Sequence, residues 1–236
     1  MIKFEKNTYD DFFVYVVAPS TSISNTKQIK LFSDKIIENT VDRESIEKSG
    51  ILTNVIYNLH DNFYCYEITF VKKLKLKTLS FLLVMKRPDF LKLTDIVGLN
   101  KKAEKLFHED GLYGIKDSKL IEHLLYSIEY SEIFGLDRYP TLIDKAATHL
   151  WYIIARYQAF HNGNKRTGML AALTFLRMNF YEIKTENVLE NDLYQISMNI
   201  ALEKMTEKDV VDFLTKHVEF NLTQMATFYN LVVKRG

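Results

Sequence analysis

The ten residues Gln158 to Thr167, QAFHNGNKRT, hold the densest set of side chains able to do chemistry in this chain. Gly163 between Asn162 and Asn164 is what a tight turn requires, because Gly and Asn tolerate positive φ at low cost. The run that follows, KRTGMLAALTFLRMNF, predicts a helix with Met169, Ala172, Leu173 and Leu176 on its core face. The turn therefore delivers the chain into a helix N-terminus. Amides exposed there, beside the cations Lys165 and Arg166, make an anion site suited to phosphate. The bland alternative is an interhelical turn with two solvated cations, and for an arbitrary GNKR it is the better one. His161 adds an imidazole to the same loop, three residues after Gln158. His149, beside Trp151, reads as a satisfied, semi-buried helix residue, and His60, His108, His123 and His217 have no spacing that suggests a metal site.

The elements that must position this loop are helical. Upstream, TLIDKAATHLWYIIARY sets Ile143, Ala147, Leu150, Ile154 and Gln158 on one stripe at steps of three and four. Before it, Thr94 is the expected N-cap of DIVGLNKKAEKLF, which ends at the turn-like HEDG, and Asp117 or Ser118 that of KLIEHLLYSIEY. Beyond it, helices are expected in ENDLYQISMNIALEK and in TEKDVVDFLTKHVEF, where Thr206 and the acids Glu207 and Asp209 give a capping signal. The tail NLTQMATFYNLVVKRG is helix-like, with Met225, Phe228, Tyr229 and Val232 on one side as packing residues. The expected fold is mainly α, a helical bundle with an N-terminal α+β appendage. Its boundaries fall at residues 1–87, 91–220 and 221–236.

The appendage has its own signature. DFFVYVVAP reads as a strand ended by Pro19, and KQIKLFSDKIIENT as a helix. FYCYEITFV and LKTLSFLLVM are two apolar runs joined by the basic KKLKLK, expected as a bent strand pair or a hairpin whose exposed edge lysine guards. Alternation of Leu with Lys72, Lys73, Lys75 and Lys77 is read as one buried and one solvated face rather than as a nucleic-acid site.

Composition narrows the function classes. With 31 Lys and Arg against 30 Asp and Glu, the net charge of +1 supplies no global field for nucleic acid or anionic membranes. Only 8 glycines and 3 prolines in 236 residues argue against a many-stranded sandwich. The single Cys65 excludes a cysteine-cluster metal site and fits a reducing compartment. The start, MIKFEKNTYDD, lacks an apolar core, and no apolar run approaches the ~20 residues of a membrane span. A soluble, cytoplasmic protein is the expectation.

The loop resembles the signature of the Fic/Doc family: His-x-Phe-x-Asp/Glu/Asn-Gly/Ala-Asn, followed by Gly-Arg in the Fic branch or Lys-Arg-Thr in the death-on-curing (Doc) branch. Phe160, Asn162, Gly163, Asn164, Lys165, Arg166 and Thr167 fit the Doc form. GLYGIKDSKLIEHLL before the loop, and LTFLRMNFYE and EKDVVDFLTKHV after it, extend the resemblance over about residues 91–220. It implies a Fic/Doc-like helical bundle that binds ATP or another nucleoside triphosphate as substrate and passes a phosphoryl or AMP group to a protein hydroxyl. In that scheme Gly163 and Asn164 present amides to the phosphates, and Lys165 and Arg166 stabilise charge on the reacting oxygens. Leu112, Tyr113, Gly114, Ile115 and Lys116 correspond to the flap that holds the target chain, and Phe160 anchors the loop. The implied setting is a bacterial or phage toxin or defence component. Its partners are a target protein, a translation factor in the Doc case, and an antitoxin; no membrane partner is implied.

Two departures shape the expectation. The family's catalytic His falls at Gln158, whose carboxamide can orient a hydroxyl but cannot take its proton, and general-base catalysis is worth ~10²–10⁴-fold. Its metal-binding carboxylate falls at Asn162, whose amide oxygen is a weak ligand for Mg²⁺. His161 is the candidate replacement base. The rival function is a nucleotide-binding pseudoenzyme serving as a protein-interaction module. A third, nucleic-acid binding through Lys72 to Lys77, is the weakest. The family's self-inhibitory Ser/Thr-x-x-x-Glu-Gly/Asn pattern has no match, which leaves restraint to a separate antitoxin or to the two substitutions.

Overall fold

The computed structural model describes residues 14–19, 27–28, 30–32, 34–35, 51–60, 63–72, 74–105, 112, 114–130, 139–184, 186, 188 and 190–228. The chain divides into two units, Met1–Pro88 with Phe220–Gly236, and Asp89–Glu219.

The first unit is built on a four-stranded sheet of order β1-β4-β3-β2, from β1 (Val14–Pro19), β2 (Ile51–His60), β3 (Phe63–Lys72) and β4 (Lys75–Lys86). The apolar runs at 63–72 and 75–86 form an antiparallel hairpin in continuous register from Phe63↔Val84 to Lys72↔Lys75. Leu74, in the turn, has φ 62°. β1 then adds in parallel along Phe81 to Lys86 of β4, so Phe81, Leu82, Leu83 and Val84 lie between two strands and are all buried. That interior position explains a continuous apolar run where alternation would mark a half-exposed strand. Residues 27–28, 30–32 and 34–35 are helical, and Phe32 packs its ring 4.9 Å from that of Phe220.

Several expectations change here. The hairpin forms as expected, and Lys75 and Lys77 stand on the half of β4 that β1 leaves uncovered, whereas from Phe81 onward β4 is a central strand. The Leu/Lys alternation has no buried face: Leu74 is 98% and Leu76 68% exposed, and Lys75 and Lys77 are exposed too, since the pairing with β1 starts only at Phe81. Strand β2, in ILTNVIYNLH, was not anticipated.

The second unit is helical: α1 (Leu93–Lys105), α2 (Ser118–Tyr130), then α3, then α4 (Asn164–Met178), α5 (Glu190–Ala201) and α6 (Glu207–His217). Helix α3 runs over residues 142–157 in three parts, an α-turn Leu142–Lys145, a π-helical stretch Ala146–Ile153 and an α-turn Ile154–Tyr157. It is the core rod. Ile143, Ala147, Leu150 and Ile154 are buried as the spacing demanded, and Trp151 is fully buried with Nε1–H donating to Ser197 Oγ at 2.8 Å. Helix α4 lies close against it. A Cβ on Gly168 would stand 2.7 Å from the Trp151 carbonyl oxygen and 3.2 Å from that of Leu150, so only glycine allows the two backbones this approach.

The buried face of α4 is Thr167, Gly168, Ala171, Ala172, Phe175 and Leu176. It is rotated from the expected one, leaving Met169 and Leu173 half-buried, because close approach selects small side chains for the contact. The end of α4 is pinned by Asn179, which donates to the Asp89 and Phe175 carbonyls and accepts from the Asp89 amide, each at 2.9 Å.

The segments FYE and VEF, expected to be helical, are instead part of strands β5 (Tyr181–Ile183) and β6 (Val218–Phe220), which pair. The tail forms α7 (Leu222–Phe228), with Met225 buried; Tyr229 and Val232 lie outside the described residues, as does the HEDG turn. No helix among the described residues is long and apolar enough to cross a membrane.

Candidate functional site

Side chains satisfy most of the helix starts. Asp95, not Thr94, serves α1, accepting from the Lys92 amide at 2.8 Å. Asp117 accepts from Leu120 at the start of α2. Capping boxes of Thr141 with Asp144 and of Thr206 with Asp209 begin α3 and α6. Asn221 accepts from the Gln224 amide in α7. Helix α4 differs: its N-cap is Gly163, at φ 74°, and no side chain caps it. Its first-turn N–H groups, which have no intrahelical acceptor, open on the loop between α3 and α4.

That loop is shaped residue by residue. Gln158 ends α3 in the left-handed region, φ 52° and ψ 55°, at a cost on the order of 1–2 kcal/mol for a non-glycine residue. It is exposed and closes the helix instead of continuing its buried stripe. The chain then runs out as a short strand. Phe160 bridges Ile115 in antiparallel fashion, the His161 amide donates to the Gly114 carbonyl at 3.0 Å, and the amides of Lys116 and Asp117 donate to the Ala159 carbonyl. The Phe160 ring is buried. Of the stretch expected as a flap, Gly114, Ile115 and Lys116 thus lie along the loop; Leu112 is exposed, and Tyr113 is outside the described residues.

Three carboxamides set the turn. Asn164 Oδ1 accepts from the Phe160 amide and its Nδ2 donates to the Phe160 carbonyl, both at 2.8 Å, so its side chain serves the loop and only its own amide is left for a ligand. Asn162 Oδ1 accepts from the Gly163 amide at 2.7 Å. The Gly163 amide, expected to be open to phosphate, is therefore covered by its neighbour's side chain, and an anion reaching it would displace that oxygen. Behind the turn, Asn100 of α1 donates through Nδ2 to the Asn162 carbonyl and to Thr167 Oγ1, each at 3.0 Å.

In front of the turn is a cavity of about 240 Å³. Gln158, His161 and the run Asn162 to Arg166 line one side, and Ala155, Tyr194 and Ala201 complete it. Every candidate catalytic and nucleotide-binding residue therefore meets in one hollow. Its charge is one-signed: Lys165 and Arg166 are cations, and no carboxylate lines it. Arg156, next to Ala155, is paired with Glu203 at 2.6 Å. Lys165 and the start of α4 thus bring positive charge to the hollow. The lining does not fit a resident Mg²⁺, which prefers charged oxygen, because its carboxamide Asn162 already holds the Gly163 amide. Among the described residues no three His, Cys, Asp or Glu side chains gather as a metal site. His149 lies apart, buried, its Nδ1 3.0 Å from Thr148 Oγ1.

A family model described as the Fic/DOC family matches residues 90–176. This stretch is a Fic/DOC-family domain. Over 54 residues the chain is 44% identical to Toxin Doc of Mycolicibacterium smegmatis (strain ATCC 700084 / mc(2)155), covering 23% of this chain and 41% of that protein. The chain thus spans under half the length of the curated relative it matches. The contributions of Tyr194 and Ala201 to the hollow, and of Asn100 to its loop, escaped the sequence. Tyr194 and Ala201 sit seven apart, two turns along one face of α5, but nothing in the chain says that this face turns to the loop. Asn100 is a polar residue inside an amphipathic pattern, a signal that asked for a partner without naming it.

Proposed function

We propose that the Fic/DOC domain binds a nucleoside triphosphate at the start of α4 and transfers a phosphoryl or AMP group to a hydroxyl of a target protein, the chain acting as a Doc-like toxin restrained by an antitoxin. The observation that carries this is the uncapped α4 N-terminus: four other helices cap a first-turn amide with a side chain, whereas this one offers its amides beside Lys165 and Arg166 to a hollow whose lining holds no carboxylate. Phosphate oxygens satisfy those amides and gain from the helix dipole. As the target oxygen attacks phosphorus, the bond to the leaving group breaks, releasing the nucleoside diphosphate or pyrophosphate. Arg166 and Lys165 neutralise the charge that builds on the equatorial and leaving oxygens. The hydroxyl proton goes to the His161 imidazole, since Gln158 can only orient the hydroxyl. Any Mg²⁺ arrives with the nucleotide as part of the substrate.

Gln158 also favours a second reading, a nucleotide-binding pseudoenzyme that acts by protein association. Incubation with α- and γ-labelled ATP in parallel, with a bacterial lysate as the source of targets, separates the two. Label from one form only on a lysate protein supports transfer and names the group. ATP affinity without transfer supports the pseudoenzyme, and absence of both refutes the site. Where transfer occurs, Gln158→His raises the rate, by ~10-fold or more, and His161→Ala lowers it. Growth arrest on induced expression, compared with Arg166→Ala, tests the toxin role.

A further inference from the structure

We infer that Asn100 of α1 is a positioning residue for the anion loop: it fixes the direction in which the Gly163 amide points. The side chain is buried to 1% exposure and lies 62 residues from the loop in sequence. A carboxamide nitrogen carries two hydrogens. In Asn100 both are spent on the loop, one on the Asn162 carbonyl and one on Thr167 Oγ1.

The first bond has a geometric consequence. The Asn162 carbonyl and the Gly163 amide belong to one planar trans peptide, in which C=O and N–H point in opposite directions. Holding the carbonyl back toward α1 sends the N–H forward, away from α1. Among the described residues the acceptor it meets there is Asn162 Oδ1, from a residue that lines the cavity. The second bond holds Thr167, the residue whose amide donates to the Gly163 carbonyl at 2.8 Å and closes the first turn of α4. Asn100 thus braces the peptides on both sides of Gly163. It is close enough that a Cβ at Gly163 would come within 3.1 Å of its nitrogen. Aspartate of the same shape could not replace it, because a carboxylate has no hydrogen to give and would set a negative charge behind an anion site.

The inference rests on nucleotide binding at this loop, and the test separates the two. ATP is titrated into the ¹⁵N-labelled full chain and into Asn100→Ala and Asn100→Asp, with the dissociation constant and the Gly163 amide resonance followed together. The expected result is a Gly163 resonance that moves on binding in the parent chain, about tenfold weaker binding in Asn100→Ala and a larger loss in Asn100→Asp. The rest of the spectrum should stay that of the folded chain. Equal affinity in the parent and a folded Asn100→Ala overturns the role of Asn100 and leaves nucleotide binding standing. No binding by the parent overturns the functional reading instead. In that case Asn100 is judged by amide exchange at Gly163, which must quicken in Asn100→Ala if it fixes that peptide. Should Asn100→Ala fail to fold, Asn100→Ser, which keeps one donor, is measured in its place. Failure of that variant as well assigns Asn100 to fold maintenance alone and refutes the inference.

Discussion

Helix α6 and helix α4 begin with opposite chemistry. At the start of α6, Thr206 Oγ1 accepts from the Asp209 amide while Asp209 Oδ2 accepts from the Thr206 amide at 2.7 Å and from its hydroxyl at 2.8 Å. The helix supplies its own anion. At the start of α4, Gly163 has no side chain to supply, and the first turn carries the cations Lys165 and Arg166 and no acidic residue. The same orphan N–H groups exist at both ends. One set is satisfied within the helix and contributes to stability, whereas the other is the set to which the proposed function assigns a nucleotide.

The difference can be broken from either side. Removing the cation has the largest expected effect: Arg166→Ala lowers transfer by ~10²–10³-fold, as for loss of one oxyanion donor, read by label incorporation. Next is making α4 resemble α6. Gly163→Asp places a capping carboxylate at the N-cap, at a positive φ that Asp tolerates better than most residues. It is expected to weaken ATP binding more than ~10-fold, a factor of 10 per 1.4 kcal/mol, and to lower the thermal midpoint as well, since the new Cβ stands 3.1 Å from Asn100 Nδ2 at a positive φ, as measured by calorimetric titration and melting. The converse change, Thr206→Ala, removes the α6 cap. It should lower the melting midpoint by about 2–4 °C and leave ATP affinity unchanged.

The smallest effect is one of pH. The amide and then the hydroxyl of Thr206 hold the Asp209 carboxyl below its ordinary value. Its contribution is therefore complete above the ordinary carboxylate pKa of about 3.9 and is lost as the pH falls through the lowered one. Denaturant titrations of the parent chain should show this acid-limb loss, and Thr206→Ala should diminish it.

How much of this was legible depended on whether a residue's neighbours were local. The loop, its helices and the Thr206 cap were readable because capping, turn chemistry and the three-to-four periodicity act within a few residues. Ile143, Ala147, Leu150 and Ile154 were readable for the same reason, whereas Gln158, expected on the same stripe, is exposed. The π-helical stretch of α3 was not readable, since nothing in the linear pattern of Ala146–Ile153 marks it. Asn162 folding onto the Gly163 amide, and Asn100 reaching the loop from α1, depend on three-dimensional placement that a linear pattern does not encode. The lysine-rich turn misled, because alternation was taken to mean a covered face, whereas β1 stops pairing before it gets there.

The first unit is assembled from both sides of the second, with residues from Phe220 onward joining Met1–Pro88. During synthesis the strands of the sheet leave the ribosome well before α7, the helix whose Met225 is buried. The Fic/DOC domain emerges between them and is free to fold first, since domains generally fold as units. A nascent chain stalled before residue 220 would hold all four strands of the sheet but not α7, so the first unit would be completed only by the last stretch of translation.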